Sequence, residues 1–251
     1  MTLTEAIEKR ISCRAYTDMQ LDPSVFEELS ELSETLSREG EIRIVLVGPA
    51  DGGADLKLNG RMFSGTISTY AALIGPDDDL TRGKAGFFGE KLVLHATQLG
   101  LGTCWVAGTF DRSSVTLPLA EGEVLHDVIP MGNMPSKQPF AQRTIRAGLR
   151  RRNKKPEAMF KGDGSLSSAP SWIRAGIDAV IKGPSAVNEQ PVVFAWEQGV
   201  LHATLPYLKR NIEYTDLGIA KLHFQIAAQE AGISGTWEWG NQGAFLIKEQ
   251  A

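Results

Sequence analysis

The chain has 251 residues, 42% apolar and 22% charged, with 26 glycines, 12 prolines and a formal charge of −4. These globular values exclude disorder, collagen and coiled coil as the main state, allow a sizeable core without staples, and argue against a surface built for nucleic acid. Cys13 and Cys104 are the only cysteines, and none of the four histidines forms a His-x-His or His-x-x-x-His pair, so a disulfide scaffold is excluded and no metal site is expected.

The opening Met-Thr-Leu-Thr-Glu-Ala-Ile has no apolar core of a secretory signal, and no run approaches the length of a membrane span. A soluble cytoplasmic protein is expected. Thr2 to Glu5 form a capping box that starts a helix carrying Ala6, Ile7 and Ile11. A second box, Ser24 to Glu27, follows Pro23; Phe26, Leu29, Leu32 and Leu36 then mark one buried helical face, closed by Gly40. Ile42–Val47 predicts a strand, 50–61 a Gly- and Asp-rich loop, and Tyr70–Ile74 a short strand before the acidic turn Asp77–Asp79. Residues 87–99 predict a helix buried on most sides, with His95 packed on it, stopped by Gly100 to Gly102. A strand at 124–130 precedes a basic tract running from Arg143 to Lys155. The Gly/Ser-rich stretch beyond it reads as a linker at 161–169, dividing a first half, 1–160, from a shorter second half, 170–251. The second half predicts a helix at 171–182, a hairpin built from 191–196 and 200–204, and a long buried helix at 216–231 closed by Gly232.

The two long helices read as one unit written twice. Gly86 and Gly218, Ala96 and Ala228, Gly100 and Gly232, and Trp105 and Trp237 are identical pairs, each 132 positions apart. Either two buried helices share a glycine stop, or one chain folds as a dimer does, with related halves around a common core.

Three segments carry candidate chemistry. Arg10-Ile-Ser-Cys-Arg14 places two guanidinium groups and a hydroxyl just past a helix, which suits a phosphate; the same residues would also complement the helix dipole in solvent. Gly183-Pro-Ser-Ala-Val-Asn-Glu-Gln-Pro191 sits between a helix and a strand. Its Ser185, Asn188 and Gln190 fit the polar edge of a planar heterocycle, or bond their own backbone as a turn. Gly100-Leu-Gly-Thr-Cys-Trp105 lacks dinucleotide spacing, but its small residues allow backbone donors to approach a ligand; Cys104 has no nearby base and is not read as a nucleophile. The tract 143–155 has no interleaved aromatic for stacking bases and reads as a solvated connector with one or two phosphate ligands.

Together these segments resemble the FMN-dependent nitroreductase family. Arg10, Ser12 and Arg14 match its Arg-x-Ser-x-Arg/Lys opening, and Pro184, Ser185, Asn188, Gln190 and Pro191 its Pro-Ser-x-x-Asn-x-Gln-Pro motif. Gly100 to Trp105 match the end of its central helix, and Arg152 and Lys154 its basic pair before proline, here Pro156. The Arg and Pro-Ser motifs lie in different halves, which resembles the internally duplicated single-chain branch, the Putative TM nitroreductase type. Val192 stands where the family has an aromatic.

The resemblance implies an α+β nitroreductase-like fold whose two related halves form an intramolecular pseudo-dimer, acting as a monomer. It implies one FMN per chain and an NAD(P)H oxidoreductase working by ping-pong hydride transfer to a nitroaromatic, quinone or flavin acceptor. No catalytic side chain, metal, nucleic acid or membrane partner is implied. Arg10, Ser12 and Arg14 would hold the phosphate, ribityl chain and pyrimidine edge; Pro184, Ser185, Asn188 and Gln190 would line the ring. Gly102 and Thr103 would offer backbone donors, and Arg152 and Lys154 would complete the phosphate clamp. Rival readings are a flavin-binding or sensing module without turnover, and a nucleic-acid-associated protein using the basic tract.

Overall fold

The structure, a computed structural model, describes residues 1–59, 62–137, 139–150 and 153–248. In chain order the elements are α1 (Leu3–Lys9), α2 (Pro23–Gly40), β1 (Arg43–Val47), β2 (Thr69–Pro76), α3 (Asp79–Gln98), β3 (Gly102–Thr103), β4 (Glu123–Gly132) and α4 (Phe140–Arg150). They continue with β5 (Phe160–Gly162), α5 (Ser171–Lys182), β6 (Val193–Glu197), β7 (Val200–Thr204), α6 (Ile212–Glu230), β8 (Gly235–Trp237) and β9 (Phe245–Ile247). The α+β class expected from the sequence is the class observed. No helix among the described residues is long and apolar enough to cross a membrane.

Two compact units are present. The first comprises Met1, Lys9–Asp77 and Lys91–Ala147; the second Thr2–Glu8, Asp78–Glu90 and Gly148–Ala251. Neither is contiguous, because α3 contributes to both.

The first unit is built on an antiparallel sheet in the order β1-β2-β4-β3. β2 is the central buried strand, and Tyr70, Ala72 and Ile74 pack with Val47, Leu125 and Val128. It extends from Thr69 to Pro76, longer than its apolar run alone marks, because β4 continues to pair with it across an irregularity at Leu73/Ile74. The helix α2 is capped by Asp22, whose carboxylate accepts from Ser24 N at 2.9 Å, rather than by Ser24. Pro23 fills the first helical position, which puts the cap at Asp22, two residues before Ser24. Gly40 lies inside the helix, and the left-handed residue that closes it is Glu41 (φ 52°). His95 is about one-third exposed and hydrogen-bonds Glu28 of α2 at 2.7 Å, so it is a bonded surface group and not core packing.

The second unit holds the β5-β6-β7 sheet, parallel then antiparallel, and the β8-β9 pair, which meets β7 at His202/Ala244. Under the sheet α5 packs on α6. Trp172, Phe194, Phe224, Trp237 and Phe245 form one aromatic cluster with ring centroids 4.8–6.1 Å apart. The stretch expected as a linker is built structure. It contains the end of β5 and a 3-10 turn, Leu166–Ser168, with a reciprocal Ser165/Ser168 cap, and Leu166 and Ala169 are buried. Serine and glycine serve a tight turn there instead of a flexible tether. The acidic run at 77–79 is likewise a helix start: Asp78 accepts from Thr81 N at 2.7 Å, and α3 begins at Asp79. Arg143, read as part of a solvated connector, lies in α4.

The first part of α3 crosses α6 backbone to backbone. A Cβ on Gly218 would sit 2.6 Å from Phe87 N and inside the Gly83 carbonyl; one on Gly86 would sit 2.8 Å from the Thr215 carbonyl carbon. Thr215 follows Gly83, and Gly218 follows Gly86, by the same 132 positions. The C-terminal ends of the two helices are also bonded alike. Leu101 N donates to Ala96 O and Ile233 N to Ala228 O, both at 2.9 Å, with Gly100 (φ 83°) and Gly232 (φ 87°) left-handed at the stop. Replacing Gly218 by alanine forces the crossing apart and is expected to cost about 2 kcal/mol or more, lowering Tm by at least about 4 °C in a thermal melt.

Lys221 of α6 is buried, with its amine on Glu238 O (2.8 Å) and Gly240 O (2.7 Å). Burial pulls this amine down to about 8, against a smaller upward pull from Glu238. The folded state therefore releases this proton near pH 8, while the unfolded chain keeps it to about 10.4, so stability rises with pH across that window. Denaturant titrations at pH 8 and 10 should show this gain in the parent relative to Lys221→Met.

Candidate functional site

In the first unit, residues 10–16 leave α1 and run as an extended segment beside β3. Ser12 bridges Thr103, Cys13 N donates to Thr103 O at 2.8 Å, and Ser64 N donates to Arg14 O at 2.9 Å. Gly102 is required there, since a Cβ would lie 2.7 Å from the Cys13 side chain. The structure thus brings Arg10, Ser12 and Arg14 together with Gly102 and Thr103. The last two are buried inside the sheet, however. Thr103 pairs with Met131 on one side and Ser12 on the other, which leaves little of this backbone for a ligand.

The electrostatics of this corner are cationic. Arg14 Nε is buried with no hydrogen-bond partner. A buried guanidinium donor left unmatched is costly, and an anion with lone pairs to share is its natural complement. Burial pushes the Cys104 thiol up to about 11, while Arg14 and Arg10 pull in the other direction, so both cations lie within electrostatic reach of it. Burial likewise raises the Tyr16 phenol well above its usual value, and its hydroxyl lies 2.9 Å from Cys13 O.

In the second unit the Gly183–Pro191 loop leaves α5 and is stiff. Ser185 Oγ accepts from Gln190 N at 3.0 Å, and the Asp216 carboxylate accepts from Ala186 N at 3.0 Å. The Gln190 side chain is buried, receiving Lys154 N on its oxygen (2.7 Å) and donating its amide to Ile181 O (2.9 Å). Asn188 donates to Asn153 Oδ1 at 2.9 Å. Val187, Asn188 and Gln190 all have left-handed backbones (φ 46°, 59° and 46°), a strained state for a β-branched valine that only a fully bonded loop sustains. Ser185 and Gln190 therefore build the loop, whereas Val187 is exposed at its crest and Asn188 half-buried beside it. A small recess beneath, of about 10 Å³ and so with room for little more than one water, is lined by Pro184, Ser185, Gln190, Asp216, Met159 and Ile219. Val192 is buried in the core below the loop. Lys154 is half-buried, and Arg152 lies outside the described residues.

Sequence reasoning missed Asp216. Its signal was a second carboxylate, after Glu213, at the head of the apolar run of α6. No group of three or more His, Cys, Asp or Glu side chains suited to a metal occurs among the described residues. Within the first unit, an unmatched buried guanidinium at Arg14 with Arg10 and Ser12 beside it fits a phosphate-bearing group.

The family model described as Putative TM nitroreductase matches residues 2–228. The chain belongs to that family. Among solved structures, a putative nitroreductase from Thermotoga maritima shares the fold, with TM-score 0.64 and 22% identity over 98% of this chain and 93% of that one. Nitroreductase-family structures from Desulfovibrio desulfuricans, solved in complex with FMN, and from Clostridium difficile 630 also match. The first has TM-score 0.42 and 18% identity over 57% of this chain and 94% of that one; the second has 0.44 and 19% over 59% and 92%. No curated protein matches the chain. The nitroreductase-like fold and an oxidoreductase role of nitroreductase type follow from this membership.

In this nitroreductase-family chain neither cysteine is poised as a nucleophile. Both are buried, and the Cys104 thiol stays protonated at neutral pH. Alkylation with iodoacetamide at neutral pH should label neither residue in the folded protein and both after denaturation, as read by intact mass.

Proposed function

We propose that this protein is an FMN-dependent NAD(P)H oxidoreductase that carries one flavin per chain. Bound FMN would supply the two-electron chemistry, accepting hydride from NAD(P)H and passing it to a nitroaromatic, quinone or flavin acceptor in separate half-reactions. The observation that carries the reading is the buried, unmatched Nε of Arg14 in a segment bearing Arg10 and Ser12. These three would neutralise the phosphate and the electron-rich edge of the ring. The Pro184–Pro191 loop would bear on the flavin through Asn188 and its crest, with Ser185 and Gln190 holding its shape. Lys154 would add charge at the phosphate. No side-chain acid or base is needed; the chain's part is placement and exclusion of water.

We also propose that the chain is an internal duplication acting as a monomer. The α3–α6 crossing supports this, because Gly86 meets Thr215 while Gly218 meets Gly83, the reciprocal pattern of a two-fold interface, at one constant offset.

The purified protein should be yellow, with FMN and polypeptide in a ratio near one, and NADH or NADPH should bleach it. A ratio near two would reject the single-site reading, and binding without bleaching would leave a flavin-binding module. Each charged hydrogen bond to the cofactor contributes about 1.5–3 kcal/mol, so Arg14→Ala should weaken flavin retention about ten-fold or more. Asn188→Ala, far away in sequence, should weaken it as well; retention unchanged in either variant removes that residue from the site.

A further inference from the structure

Among the described non-glycine residues with a left-handed backbone, Val187 (φ 46°) is the only β-branched one. Glu41 closes a helix, and Gln198 turns with Gly199 between β6 and β7. Asn188 has a side chain that tolerates this region, and Gln190 is gripped at both ends of its amide. Val187 has neither support. Its side chain is largely exposed, so packing does not hold it either.

What holds it is the residue before it. Ala186 N donates to both oxygens of Asp216, at 3.0 and 3.2 Å, and Ala186 O accepts from Glu189 N at 3.0 Å. Both main-chain groups of Ala186 are thus fixed, and Asn188 N closes the turn on Ser185 O at 3.0 Å. These ties differ in where they start. The bonds among Ser185, Ala186, Asn188 and Glu189 lie within the loop and can shift with it. Gln190 ties the far end of the loop to Ile181 O and Lys154 N. Asp216 reaches the near side of the crest from α6, a helix held by its glycine crossing with α3, and the aspartate is itself buried.

We propose that Asp216 is a positioning residue: from α6 it keeps Val187 and Asn188 left-handed before any ligand arrives, and so sets how fast a flavin is captured. This rests on the proposed flavin oxidoreductase function, in which Asn188 meets the cofactor. Asp216 acts through the loop and touches no ligand. Apparent affinity scales with the fraction of molecules whose crest is already formed. Removing the tie lowers that fraction and slows association by the same factor, while dissociation from the formed complex is unchanged. Loss of a residue in direct contact does the opposite and speeds dissociation.

The test uses the full-length chain freed of flavin. FMN and riboflavin are the probes, followed by stopped-flow fluorescence quenching, and hydrogen exchange is read at the amides of residues 186–190. Asp216→Ala should slow association of both flavins about ten-fold, leave dissociation within about two-fold, and speed exchange at 186–190 by a similar factor. Asn188→Ala should mainly speed dissociation. Asp216→Asn keeps a weaker acceptor in place and should fall between parent and alanine variant. It carries the test alone if the alanine variant does not fold, and faster exchange without slower association then overturns the inference. Val187→Asn in an Asp216-substituted background should recover part of the association rate, because asparagine enters the left-handed region more readily than valine. A merely structural aspartate would give no such second-site recovery. Unchanged exchange at 186–190, faster dissociation with association intact, or no recovery by Val187→Asn overturns the inference. A parent chain that binds neither flavin retires the flavin reading, and exchange alone then decides whether Asp216 holds the crest. A yellow, reducible protein whose Asp216→Ala variant captures flavin at the parent rate does the reverse.

Discussion

The backbone contact between the start of α3 and the start of α6 is the constraint on which the second unit depends. Two helices approach this closely only where side chains are absent, and Gly86 and Gly218 clear that space. Once α6 is held, it fixes several other parts. Asp216 anchors the Gly183–Pro191 loop, Lys221 gathers the carbonyls of the 238–240 turn, and Trp237 donates its indole N–H to Lys221 O. Glu213, Asp216 and Lys221 are buried because they tie loop backbone to the helix, and His223 because it bonds Ala179 O of α5 and Glu90 of α3.

The Pro-Ser loop shows what such anchoring achieves. Three left-handed residues within four positions would collapse in an isolated peptide. Here Ser185 holds Gln190 N, Asp216 holds Ala186 N, and Gln190 is gripped at both ends of its amide. The strain is stored at the crest, where Val187 is raised toward solvent and Asn188 is held by Asn153.

Much of this architecture could be read from residue order. The capping box at Thr2, the glycine stops at Gly100 and Gly232 and the helix at 171–182 depend on chemistry between near neighbours, and all are present as read. The misreadings arose where two local signals competed. Ser24 and Asp22 both offer caps, and only the proline between them chooses. Aspartates 77–79 suit a turn and a helix start equally well, and strand pairing with β4 decides where β2 ends. At the site, residue types were legible but partners were not. That Gln190 faces inward follows from Lys154 N and Ile181 O converging on it, and no spacing in the sequence encodes their approach. β5 is too short for its alternation to register.

His223 and Glu90 are both completely buried, 2.8 Å apart, and His223 Nδ1 lies 3.2 Å from Ala179 O. A carbonyl can only accept, so Nδ1 carries a hydrogen, and the second ring nitrogen and the carboxylate share one proton between them. Wherever that proton rests, the couple is neutral overall. Losing one member alone would strand a charge or an unmatched donor in a dry interior, a penalty of about 3–5 kcal/mol. Over evolutionary time the two positions should therefore drift only as a linked couple, exchanged together for an uncharged pair of similar volume.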